Sequence, residues 1–272
     1  MAEFLYKYRC FDKNDAAIKK TENIIKNSSL YLSKISSFND PFDSRLSFLE
    51  SYSKQEIVSF CRRITDKFNA SNEYFNDICK RYEDVELFMT EQQNTIDSMI
   101  SEIGVLSLSA NPESILMWSH YSNNHKGLVF QFEPIYKASC LYPPIKVEYK
   151  NEYNLLSYTS NEEDRIKELS DLLLIKYNDW KYEEEYRKID LNFIGEKEFY
   201  KDELVGIIFG ADAEKSDIEK MKQLCEENGF THVKYKKAVM VPGKFELDIK
   251  IKYKRSIVTT FESQYSRNKL FH

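Results

Sequence analysis

Charged residues on one side of a strand-like segment constrain the fold of this chain more than any other feature. The segment runs from Trp180 to Phe193 and reads WKYEEEYRKIDLNF. In an extended chain, residues two apart point to the same face. The residues that would share one face are Glu183, Glu185, Arg187, Ile189, Leu191 and Phe193. An unpaired buried charge is strongly disfavoured. The segment therefore predicts either a buried site that uses these charges or a salt-bridged strand end facing solvent.

Other strand-like segments occur along the whole chain and bracket a block of helices. The residues Ser53-Lys-Gln-Glu56 form a capping box, and apolar residues at helical spacing follow it. The segments with strand-like patterns are 3–9, 103–109, 127–132, 145–149, 204–210, 233–241 and 245–253. This order predicts one α+β domain over residues 1–254 with a helical insertion at 51–101. A polar C-terminal tail, residues 255–272, follows that domain.

Three further helix predictions depend on start signals. Asp12 or Asn14 would cap a helix that ends near Lys26. Pro112 would open a helix over residues 113–123. A second capping box begins at Ser160, and its helix is predicted to reach about Tyr177.

Composition excludes several classes of protein. The net charge is −5 and the sequence pI is about 5.6, so no overall basic field attracts nucleic acid. The five cysteines are scattered and are never spaced C-x-x-C, which favours reduced thiols. There is neither a signal peptide pattern nor an apolar run long enough to span a membrane. We therefore expect a cytoplasmic protein without a membrane partner.

Metal and nucleotide motifs are also missing. His120 and His125 are five residues apart, which places them roughly 140° apart around a helix and sends them to different faces. The sequence contains no H-E-x-x-H, no G-x-x-x-x-G-K-[ST] and no G-x-G-x-x-G motif. We therefore predict that no metal is bound.

The remaining polar and aromatic residues cluster in four segments that could line one cleft. They are Tyr8 with Arg9, Ser107 with Ser109, Trp118 with His120, Tyr121 and the nearby His125, and Glu183 with Glu185. An arginine suits phosphate, serines suit hydroxyl groups, and aromatic rings stack on a planar ring. A glutamate stabilises the cationic sugar that forms when a glycosidic bond breaks. Taken singly, each residue also fits a capped turn, a core aromatic or a surface salt bridge.

Five motifs, in order, resemble a large bacterial family of uncharacterised domains, and the resemblance spans about residues 5–210. They are Tyr6-Lys-Tyr-Arg9, Phe38-Asn-Asp-Pro-Phe-Asp43, Ser107-Leu-Ser109, Met117-Trp-Ser-His-Tyr-x-x-x-His-Lys-Gly127 and Trp180-x-Tyr-Glu-x-Glu-Tyr-Arg187. The pattern of a basic residue on the first strand, a serine strand and Glu-x-Glu on a late strand is similar to the ADP-ribosyltransferase superfamily.

That second resemblance implies a fold and a set of roles. The fold would be a split, mostly antiparallel sheet that holds NAD as the substrate. Arg9 would hold phosphate or ribose, and Ser107 or Ser109 would order the nicotinamide side. Glu185 would bind the ribose and stabilise the oxocarbenium-like transition state, while Glu183 would orient or deprotonate the acceptor. Tyr8 would belong to the same NAD-binding strand, and Trp118, His120 and Tyr121 would form a cleft wall.

The expected function is therefore an NAD-dependent ADP-ribosyltransferase or NAD glycohydrolase. The resemblance also implies a role as a toxin or in defence against phage, with a regulatory or antitoxin partner. The acceptor is left open between protein, nucleic acid and water. A non-catalytic nucleotide- or partner-binding module is one alternative, and a nuclease is another.

Overall fold

The computed structural model describes residues 2–11, 15–44, 51–153, 155–159 and 161–250. Two predicted features, the helix start at Asp12 or Asn14 and the tail at 255–272, lie outside these residues. The predicted capping residue Ser160 lies outside them as well.

Twelve strands are present in the described residues, ten of them in one sheet. Their bounds are β1 Leu5–Arg9, β2 Ser29–Lys34, β3 Gly104–Ser109, β4 Leu128–Phe132, β5 Ile145–Lys146, β6 Glu148–Lys150, β7 Ile175–Tyr177, β8 Glu185–Asp190, β9 Gly195–Glu198, β10 Leu204–Phe209, β11 Lys234–Met240 and β12 Leu247–Lys250. The large sheet has the order β12-β11-β10-β4-β1-β3-β2-β9, and β8 joins β3 to β5. Its pairings are antiparallel except between β10 and β11. The predicted mixed fold with a mostly antiparallel sheet is confirmed.

Helices cover both faces of this sheet and form a separate block. The α-helices are α1 Asp15–Asn27, α2 Lys54–Lys67, α3 Asn72–Arg81, α4 Val85–Ser101, α5 Ile115–Tyr121, α6 Glu162–Leu172 and α7 Lys215–Glu227. Helices α2, α3 and α4 lie between β2 and β3, which are themselves paired. The helices predicted over 51–101 are therefore present between two adjacent strands. Ser53 caps α2, because its side chain accepts from Glu56 N while Glu56 accepts from Ser53 N.

The core is divided between the two faces of the sheet and the helical block. One face packs β4 and β10 against α1 and α7, with Phe130, Ile207 and Ile25 fully buried. The opposite face packs against α5 through Trp118. The helical block shares a third cluster with α6, and Phe88 of α4 lies in it.

The sheet opens between β1 and β3, and this opening positions the site. These strands pair at a single position, Tyr6 with Ser109. The other edge of β3 pairs with β8 along its whole length, from Gly104 to Ser109. On the edge of β3 that faces β1, the first two residues of the strand, Gly104 and Val105, pair with β2. Among the described residues, the middle of β3 therefore has no strand partner on the side that faces β1.

The segment just before β8 differs from the sequence prediction. Residues Asn178–Glu183 form a 3-10 helix, and Glu184 adopts a left-handed conformation with φ 44° before β8 begins. Glu183 therefore precedes the strand, and its expected position on the strand was wrong. The physical reason is tertiary: Ser109 Oγ donates to Glu183 O at 2.6 Å, and Asn111 Nδ2 donates to Glu184 Oε1 at 2.9 Å.

Other element boundaries also need correction. Helix α6 begins after Asn161, whose side chain accepts from Asp164 N, and it ends at Leu172 instead of near Tyr177. The segment predicted as one strand over 145–149 is divided into β5 and β6, and β6 pairs with β7 in a separate two-stranded sheet. Helix α5 ends at Tyr121, so His125 lies in the following turn. At the end of the organising segment, Leu191 lies beyond β8 and is exposed.

Candidate functional site

The gap between β1 and β3 contains a cavity of about 470 Å³. This is within the range of roughly 300–1,000 Å³ that is typical of small-molecule sites. Eight of the nine residues predicted for the site line it. They are Tyr8, Arg9, Ser107, Ser109, His120, Tyr121, Glu183 and Glu185. The structure thus brings together side chains from β1, β3, α5 and the start of β8.

A buried ion network forms one wall of this cavity. It consists of Asp43, Lys176, Glu183, Glu185 and Arg187, all of which are buried. Arg187 is fully enclosed, and its Nη2 contacts both Asp43 oxygens, at 2.8 and 2.6 Å. Its Nε donates to Glu185 Oε1 at 2.8 Å, and its Nη1 donates to Leu173 O at 2.7 Å. Arg187 therefore holds the start of β8 against the loop that carries Asp43.

Lys176 on β7 joins the three carboxylates of the network. Its Nζ lies 3.0 Å from Glu185 Oε2 and 3.3 Å from Asp43 Oδ2, and it also donates to Glu183 Oε2. The other oxygen of Glu183 accepts from the Tyr121 hydroxyl at 2.7 Å. Glu183 and Glu185 therefore converge on one cation, although only Glu185 belongs to the strand.

The ion network carries one formal negative charge in excess, because three carboxylates face two cations. Burial raises the pKa of Glu185, but Arg187 and Lys176 outweigh that effect and lower its pKa to about 2. Burial also raises the pKa of Glu183, and Lys176 offsets this only in part. Glu183 is therefore the carboxyl of this pair that takes up a proton more readily.

The opposite wall is formed by β1 and carries the basic side chains of Lys7 and Arg9. Lys7 Nζ donates to Ser107 O at 2.7 Å. Within the described residues, neither Lys7 nor Arg9 has a carboxylate at ion-pair distance, and the buried Arg9 Nε has no hydrogen-bond partner. Burial, followed by the nearby Arg9 charge, lowers the pKa of Lys7 to about 7. Burial likewise lowers the pKa of Arg9. This wall therefore offers positive charge that an anion could neutralise.

The serines on β3 differ in their contacts. The Ser109 hydroxyl is buried and bonds to Glu183 O and to Asn111 N, so it secures the turn before β8. Ser107 is half-buried at the open edge of β3 and helps to lower the pKa of Glu185. Of the two, Ser107 is the serine whose hydroxyl adjoins the ion network.

The aromatic residues divide between the cavity and the core. Tyr8 lines the cavity, and its hydroxyl donates to Asn111 O at 2.7 Å. Tyr121 and the exposed His120 also line it. Trp118, which was predicted to be a cleft wall, is fully buried behind Tyr8 at a ring distance of 5.3 Å. Its Nε1 donates to Pro112 O. Trp118 therefore packs behind Tyr8 and does not contact the cavity.

Sequence reasoning missed Lys7, Asp43 and Lys176 as residues of the site. Lys7 shares the face of Arg9 on a strand, so the alternation on β1 carried that signal. Asp43 belongs to one of the family motifs but was given no role in the site, and Lys176 was predicted to lie in a helix that in fact ends at Leu172. Their pairing with Glu183 and Glu185 depends on contacts distant in sequence.

Within the described ranges, no group of three or more His, Cys, Asp and Glu residues is arranged to hold a metal ion. No helix in the same ranges combines the length and the apolar character needed to cross a bilayer.

Part of the chain matches a family model described as a protein of unknown function (DUF2971). The match covers residues 117–188, which include the Trp180–Arg187 segment and most of the helix that carries His120. This similarity agrees with the expected resemblance to a family of uncharacterised domains. No curated protein and no solved structure matches the chain.

Proposed function

We propose that the cavity binds NAD and that the protein cleaves its nicotinamide–ribose bond, as an ADP-ribosyltransferase or an NAD glycohydrolase. One observation carries this proposal: within the described residues, one cavity has cations without carboxylate partners on one wall and a formal excess of negative charge on the other. NAD requires both, because its diphosphate is anionic and its ribose becomes cationic as the bond breaks. The divergence of β1 from β3 also suits the split sheet that is typical of ADP-ribosyltransferases.

Each wall has a part in this mechanism. Arg9 would bind the diphosphate, while Tyr8, His120 and Tyr121 would pack against the rings. Glu185 would stabilise the developing oxocarbenium charge, since Arg187 and Lys176 keep it ionised. Glu183, whose pKa is raised by burial, would exchange a proton with the acceptor.

The test is release of nicotinamide from NAD by the purified protein, together with transfer of labelled ADP-ribose. Glu185→Gln is nearly isosteric and should lower turnover by about a hundred- to a thousandfold, because it removes a preorganised charge. Glu183→Gln should weaken transfer more than hydrolysis. Arg9→Ala should mainly raise KM, since phosphate contacts serve ground and transition states alike.

Glu184→Gln provides a matched control. Glu184 lies between the two glutamates in sequence, but it is exposed and bonds to Asn111 outside the ion network. Its replacement should leave nicotinamide release unchanged. Melting curves for all four variants separate loss of chemistry from loss of fold. Normal turnover by folded Glu185→Gln would rule out this mechanism.

A second function, binding of a nucleotide without chemistry, is favoured by one specific observation. Both carboxylates are already engaged, Glu185 by Arg187 and Lys176 and Glu183 by Lys176 and Tyr121. Such pairing reduces the charge available to a transition state. Tight NAD binding with no nicotinamide release would establish this alternative.

A further inference from the structure

Lys7 and Arg9 lie two residues apart on β1, so their side chains leave the same face of the strand. Both line the cavity. Lys7 reaches a backbone carbonyl, Ser107 O, while the buried Arg9 Nε has no partner among the described residues. A buried donor without an acceptor is costly. Two adjacent cations without carboxylates therefore form an arrangement that an anionic ligand would complete.

The environment of Lys7 destabilises its charged form, relative to a lysine in water, when the cavity is empty. Burial is the main cause, and the charge of Arg9 adds to it, whereas Glu185 acts in the opposite direction. The other titratable or charged residues that line the same cavity are Tyr6, Tyr8, Cys10, Lys20, Asp43, His120, Tyr121, Lys176 and Glu183. Of these, the carboxylates pair with Lys176 or Arg187, so none of the described carboxylates lies at ion-pair distance from Lys7 or Arg9.

We propose that Lys7 is a second anion-binding residue of the cavity, which holds the diphosphate of the ligand together with Arg9 and takes up a proton as the ligand binds. The inference deepens the proposed function, on which it rests for the choice of a diphosphate. A diphosphate suits the pair because cations from alternate strand positions start about 7 Å apart and can close on adjacent phosphates. The proton comes from solvent and converts the Lys7 amine to an ammonium ion.

The direction of the pH dependence follows from this coupling. Free Lys7 is mostly neutral at pH 8 and mostly charged at pH 6, because its pKa is about 7. A bound anion favours the charged form and raises that pKa. Binding should therefore take up about one proton per ligand at pH 8 and almost none at pH 6. Affinity should fall as the pH rises above 7, by at most about tenfold per pH unit.

Calorimetry with ADP-ribose measures both quantities without requiring turnover. Titrations at pH 6 and pH 8, each in two buffers with different ionisation enthalpies, give the number of protons taken up. The ADP-ribose diphosphate does not titrate over this range, so the proton belongs to the protein. Adenosine, which lacks the diphosphate, should bind without proton uptake.

Three variants separate the charge of Lys7 from its packing. Lys7→Met should weaken ADP-ribose binding at pH 6 roughly ten- to hundredfold and abolish proton uptake at pH 8. Lys7→Arg should retain binding but lose both proton uptake and pH dependence, because a guanidinium stays charged. Lys236→Met is the matched control, since Lys236 is also half-buried on a strand with a lowered pKa but bonds to Gln131 away from the cavity.

The two proposals fail in different ways. Proton-linked ADP-ribose binding without nicotinamide release would support the role of Lys7 and refute the enzyme. Nicotinamide release with unchanged KM in Lys7→Met would refute the role of Lys7 alone. Absence of ADP-ribose binding, or binding to the wild type without proton uptake at pH 8, would also overturn this inference.

Discussion

Arg187 shows at residue scale how a buried charge is tolerated. Its guanidinium bonds to Asp43, Glu185, Ser44 and a backbone carbonyl, and none of it reaches solvent. Removing one partner of such a network leaves uncompensated charge in the interior. We therefore expect Arg187→Met to lower the free energy of unfolding by roughly 3–5 kcal/mol, as measured by urea denaturation at pH 7.

Lys197 supplies the comparison for this prediction. It pairs with Asp190, but 40% of its side chain is exposed. Lys197→Met should therefore change the free energy of unfolding by no more than about 1 kcal/mol. Equal effects of the two replacements would show that the network around Arg187 contributes no more than a surface pair.

The ion network also shows which residues the sequence could predict. Glu183, Glu185 and Arg187 were recognisable because charge on an apolar strand face requires a partner. The partners themselves were not recognisable, since Lys176 and Asp43 reach them through packing of β7 and the loop after β2. Lys7 could have been found, because alternation places it beside Arg9.

At the scale of elements, local signals predicted the helices better than the turn before β8. The capping box at Ser53 and the helical spacing after it are contained within α2. The 3-10 helix that ends at Glu183 and the left-handed Glu184 are instead held by Ser109 and Asn111. Such contacts leave no periodic pattern in the sequence, so the two glutamates were wrongly placed on one strand.

The helical block is expected to lose structure independently of the sheet. Phe88 is fully buried in its cluster, with ring contacts to Tyr52, Phe60 and Tyr82. Phe88→Ala should cost about 3–5 kcal/mol. Hydrogen exchange should then quicken in α2, α3, α4 and α6, whose apolar residues form this cluster, before it quickens in β4 and β10, which belong to another cluster.

An exposed phenylalanine of the same block serves as the control for Phe88→Ala. Phe68 follows α2 and is 68% exposed. Phe68→Ala should therefore alter stability by less than about 0.5 kcal/mol. Simultaneous loss of protection in the helices and the sheet after Phe88→Ala would show that the two cores unfold as one.

At the scale of the whole molecule, the single pairing between β1 and β3 makes the cavity a weak point of the sheet. A ligand that contacts both walls would bridge the gap and stabilise the folded state. At a concentration of a hundred times its Kd, such a ligand adds about 2.7 kcal/mol. We expect ADP-ribose to slow hydrogen exchange most strongly in 5–9 and 104–109.

Exchange in β11 and β12, at the far edge of the sheet, provides the internal reference for this experiment. Its slowing should be smaller, since these strands do not line the cavity. Protection that is greatest at this edge would place the ligand outside the cavity.

The central position of β1 has a consequence for synthesis on the ribosome. β1 pairs with residues 128–132, which leave the ribosome only after the whole helical block has been made. Its neighbour β3 in turn pairs with β8 at residues 185–190. Until residues 128–132 emerge, β1 lacks its main partner, and until residues 185–190 emerge, β3 lacks its own; long-range pairing of this kind is slow. The cavity of a nascent chain therefore lacks a wall, and can hold no ligand, until residue 185 has emerged.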